Sequence, residues 1–210
     1  MDASPTPLPE DLCFAQAETT LLGLLLDDLH QGREPMPTLA AFDGERALAL
    51  IGLRPFPSGE LPQALIEVLA LVLPLGADRL AFAASGRLWS PDDPIVPVCA
   101  EGDLRQRAII VTVADGHDLT PRVTGSIYPF EGQRSGLTLL APTTGIPADP
   151  AVTEGPLPLL LRGAVSDTSR LAASATPSDV VAQLGRVMLL GHQVALSPDT
   201  AATLTAFSAH

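Results

Sequence analysis

Ile109–Val113 (IIVTV) is five consecutive β-branched residues. Such side chains lose rotamer freedom in a helix and pack well on a pleated surface. With Ala108 and Ala114 beside it, the run has no polar alternation, so it predicts a central strand covered on both faces. Asp115–Gly116 ends it. Whatever else this chain forms has to be built around that strand.

The flanking segments supply the other elements. Leu22, Leu25, Leu26 and Leu29 fall at helical spacing, which predicts a helix from Asp11 that stops at Gly32. Two apolar runs around Asp43–Gly44 predict a hairpin of 38–42 with 45–53. LPQALIEVLALVLPLG, opened by Pro62 and closed by Pro74 and Gly76, has only Gln63 and Glu67 as polar positions. So narrow a polar stripe predicts a helix buried on most sides. DRLAFAASGRLWS reads as a strand with a tight turn at Ser85–Gly86, and RVTGSIYPF and GLTLLA read as two further strands, the first of them with a bulge at Gly125; LPLLLRGAV is ambiguous between strand and helix and reads better as a strand. Thr176–Pro177 with Asp179, and Ser197–Pro198, are helix starts.

Strands joined by short turns favour antiparallel pairing. The fold class expected is therefore α+β: a mixed, mainly antiparallel sheet with helices packed on one face. Residues 1–10 read as a flexible tail and 11–141 as the main domain. Residues 142–156 read as a Pro-rich connection, and 157–210 as a C-terminal segment with two short helices docked on the main domain.

Composition narrows the function. The formal net charge is −12, and the chain holds Arg but no Lys. A P-loop lysine and a Schiff-base amine are both excluded. An acidic surface repels phosphate backbones, so nucleic acid is not an expected partner. Apolar residues make up 46% and charged residues 17% of the 210, which suits a globular chain with a real core. The apolar stretch Leu61–Leu75 is short and carries Glu67, so a membrane span is not expected. The acidic, Pro-rich start MDASPTPLPED lacks a secretory pattern, and Cys13 and Cys99 lack metal spacing. Together these predict a cytoplasmic setting with reduced thiols.

Few residues form a chemical constellation. Asp115, His117 and Asp118 follow the end of the central strand, where α/β proteins place reactive groups. Two carboxylates and an imidazole there could hold a divalent metal and activate water. The same residues also make an ordinary polar turn. Ser126 and Ser135 lie outside any G-x-S-x-G elbow, and Cys99 stands among acids that disfavour its thiolate. His30 and His192 sit beside Gln near helix ends, where a terminal carbonyl partner accounts for them. Trp89 with Ile95 and Val96, on the stiff loop PDDPIVP, offers an apolar surface for a partner. The expected function is a non-catalytic, cytosolic protein-binding or self-associating module without a cofactor. The alternative is a metal-assisted hydrolase centred on Asp115, His117 and Asp118.

Overall fold

The computed structural model describes residues 8–9, 11–57, 59–88, 105–118, 120–132, 136–147 and 156–208. After a 3-10 turn at Phe14–Gln16 the chain forms α1 (Ala17–His30), β1 (Thr38–Asp43), β2 (Arg46–Gly52) and α2 (Leu61–Val72). Then come β3 (Arg79–Arg87), β4 (Arg107–Asp115), β5 (Arg122–Glu131), β6 (Thr138–Leu139) and β7 (Thr143–Pro147). The chain continues with α3 (Pro156–Ser174), α4 (Pro177–Leu189), β8 (Gln193–Leu196) and α5 (Pro198–Ser208). No helix among the described residues is long and apolar enough to cross a membrane.

The described strands form one eight-stranded sheet in the order β6-β5-β4-β3-β1-β2-β8, with β7 pairing β5 as well. Every pairing is antiparallel, as hairpin-length connections favour. The β-branched run lies in β4, between β3 and β5, and Ile109 and Val111 are fully buried. The α+β class and the antiparallel sheet are those expected.

The placement of the helices differs from expectation, because both faces of the sheet are covered. On one face Leu21, Leu25 and Leu29 of α1 pack against Ala40, Phe42, Ala81, Ala83, Ile109 and Val111. The other face meets α2, α3, α4 and α5 through Leu65, Val68, Leu161, Val180, Val187 and Leu204. The cause is the absence of alternation in the central strands: β1 buries five residues in succession, which puts apolar side chains on both of its faces. Tyr128 on β5 fixes the start of α1, its hydroxyl donating to the carboxylate of Glu18. Burial, and then that carboxylate, push the phenol up to about 12.

Local details also shift. The β1–β2 turn is Gly44–Glu45, one residue later than expected, since Asp43 pairs with Arg46. Gly44 takes φ 57°, a left-handed conformation that glycine adopts without steric cost. The irregularity at Gly125 falls on the β7 side of β5 and leaves the β4–β5 register continuous. LPLLLRGAV lies in α3, where Leu161, Ala164 and Val165 are buried at helical spacing and Leu159 is half exposed. The segment expected to hold two short helices contains three helices and β8, which pairs with β2 over Ala49–Gly52. α4 starts as its sequence indicates: Thr176 and Asp179 form a reciprocal capping box.

Candidate functional site

Asp115, His117 and Asp118 do not converge. The Asp115 carboxylate accepts from Arg79 Nε at 3.0 Å and from the His117 backbone N–H at 3.0 Å. The His117 ring is largely exposed and lies 3.8 Å from Asp78. Asp118 faces Arg122 at 3.2 Å on the surface. Each carboxylate is thus spent on a different cation or on the turn itself. No group of three His, Cys, Asp or Glu side chains able to hold a metal occurs among the described residues. The surrounding polar groups tie the end of the sheet together. Arg79 also donates to Glu45 at 2.6 Å and lies 4.7 Å over the Phe14 ring. Asp78 accepts from Gly44 N–H through its side chain and from Gly116 N–H through its carbonyl. Ser126 is buried and accepts from Gly145 N–H at 3.2 Å, which joins β5 to β7. Trp89, Ile95 and Val96, and with them Cys99 and Ser135, lie outside the described residues.

One largely buried charged cluster is not signalled by the spacing of residues in the sequence. Arg54 and Glu67 form a two-pronged pair, Nε to Oε2 and Nη2 to Oε1, each at 2.9 Å. His192 is buried between them rather than satisfied by a helix-end carbonyl. Its Nδ1 accepts from the Arg54 backbone N–H at 3.2 Å, and this assigns the proton to Nε2, which donates to Glu67 at 2.9 Å. The hydrogen bond from Arg54 holds the Glu67 carboxyl at about 2, aided by His192 and opposed by burial. Both imidazole nitrogens are engaged within the protein, and the ring is shut off from solvent. The cluster works as a tie. It joins α2, the residue pair after β2, and the turn that leads into β8. Its one trace in the sequence is Glu67 itself, a charge on an otherwise apolar helix, which burial obliges to find partners. Residue 192, on a distant segment, is not identifiable as that partner from spacing.

No family model, no curated protein and no solved structure matches this chain.

Among the described residues, no strand pairs with the outer side of β8, one end of the sheet. Ser197 N–H donates to Leu48 O at 2.9 Å, so by strand alternation residues 193, 195 and 197 point their main-chain groups at β2. Val194 and Leu196 point theirs away from the sheet. On the α1 face, α1 lies over β3 and β4 and leaves a groove of about 620 Å³ beside Leu50, Gln193 and Ala195. Asp27, Asp28, Arg33 and Glu34, from the end of α1 and the segment after it, line it as well, three acids against one base. On the other face Val194 and Leu196 pack into the core, and Met188, Leu189 and Leu190 are exposed at the end of α4.

Proposed function

We propose that this chain is a non-catalytic protein-binding module whose binding element is the β8 edge of its sheet. One observation carries the reading. Among the described residues β8 is an uncharged edge strand with outward main-chain groups at Val194 and Leu196, and Leu189, a few residues before it, is 90% exposed. Proteins ordinarily blunt such an edge with charge, a bulge or a covering loop. An exposed edge beside exposed apolar side chains is how strands are added from a second chain. The partner is another protein or a second copy of this one. The acidic charge weighs against nucleic acid, and the free, half-buried thiol of Cys13 supports a cytoplasmic setting.

Amide exchange combined with light scattering tests the reading. In dilute protein the Val194 and Leu196 amides exchange much faster than those of Ile51 and Ala195. If self-association is the function, raising the concentration protects them as the mass doubles. If Val194 and Leu196 are already protected in a monomer, the edge is not free and the reading falls.

A further inference from the structure

We propose that the β8 edge takes an extended, basic segment of another protein, in which basic side chains alternate with apolar ones. The inference rests on the reading of β8 as a binding edge and specifies its partner. A strand added to β8 alternates its side chains between the two faces of the sheet. On the α1 face they enter the groove lined by Asp27, Asp28 and Glu34 together with Arg33. Exposed apolar side chains, Leu189 and Leu190, also stand only a few residues before β8 in the chain.

The charge on the groove wall is out of balance. Arg33 pairs with Asp28, whereas the Asp27 carboxylate has no hydrogen bond or ion pair among the described residues. Asp27 and Asp28 also stand in the last turn of α1, where the helix dipole is negative and disfavours acid. The placement costs stability and focuses negative potential on the groove, which a cationic partner relieves. A second copy, itself at −12, does not. The length of β8 points the same way. Four residues leave two outward N–H groups, so main-chain pairing alone is weak and side chains must supply the rest.

Three labelled eight-residue peptides test this on the full chain: valine alternating with arginine, with serine or with glutamate. The arginine peptide is expected to bind at least about tenfold more tightly than the glutamate peptide and to protect Val194 and Leu196 amides. A copy of it methylated on alternate backbone nitrogens should lose binding. The double variant Asp27→Asn/Glu34→Gln should weaken it about tenfold, while the charge-matched Asp43→Asn/Asp118→Asn changes it less than about twofold. Asp27→Asn should at the same time raise the melting temperature, an opposition that a purely structural role would not produce. If the methylated peptide binds as well as its parent, charge alone is acting and the proposal is overturned. If all three peptides protect the edge equally, the partner class is wrong and the binding edge stands. If no peptide protects it but the protein dimerises with concentration, the occupant is a second copy, which also overturns the proposal. If nothing protects it, both readings fall.

Discussion

At the scale of residues, the structure turns on contacts that leave no slack. A methyl group added to Gly116 would lie 2.7 Å from Val165 O and 2.8 Å from Asp78 O, both backbone atoms that cannot swing aside. Gly116→Ala should therefore destabilise the protein by about 2 kcal/mol in denaturant titration, through overpacking where α3 crosses the end of β4. Glu67 gives a pH signature. Its carboxyl lies at about 2 when folded, against an ordinary value of 4.5. A depressed carboxylate contributes stability that is complete above the unfolded value and is lost as pH falls through the folded one. Stability should thus decline between pH 4.5 and 2, and Glu67→Gln should remove that part of the decline. At neutral pH the same variant should cost about 2 kcal/mol, because Arg54 is left half-buried without its anion. The two ends of this cluster differ in legibility. A lone charge on a buried helix announces a need for partners, but Arg54 and His192 are chosen by the fold and not by spacing.

At the scale of elements, local chemistry was most legible where caps and turns set it. The Thr176–Asp179 capping box, the stop of α1 at Gly32 and the buried character of α2 all follow from residues a few positions apart. Thr176→Ala should accordingly cost about 1 kcal/mol in thermal or denaturant unfolding. LPLLLRGAV is ambiguous because three consecutive leucines resemble a buried strand, while the residues that are buried in α3 repeat at helical spacing. β8 was illegible for a different reason. QVAL is too short to show a period, and what makes it a strand is the free edge of β2. Its dependence on the Glu67 tie can be measured. Glu67→Gln should accelerate amide exchange at Ala195 and Ser197 more than at Ile109, since the tie holds the turn just before them.

At the scale of the whole molecule, the misplaced helical layer carries the clearest lesson. A central strand without alternation needs cover on both sides, and that requirement already excluded a sheet with helices on one face alone. The β-branched run held the answer, but the number of helices obscured it. The candidate site was less legible than the fold, because the acids of the α1 end and the strand they face come from opposite ends of the sequence. One core joins residues from Leu39 to Leu204. Unfolding should therefore be a single transition, with calorimetric and van't Hoff enthalpies in agreement. The pairing of Gly52 with Gln193 has a consequence for biosynthesis. β2 is complete about 140 residues before the strand that closes its flank has been translated. Until then the nascent polypeptide carries an unfinished sheet margin, open to any extended chain that passes. A chaperone that masks β2 during this interval would raise the yield of native protein without altering its final stability.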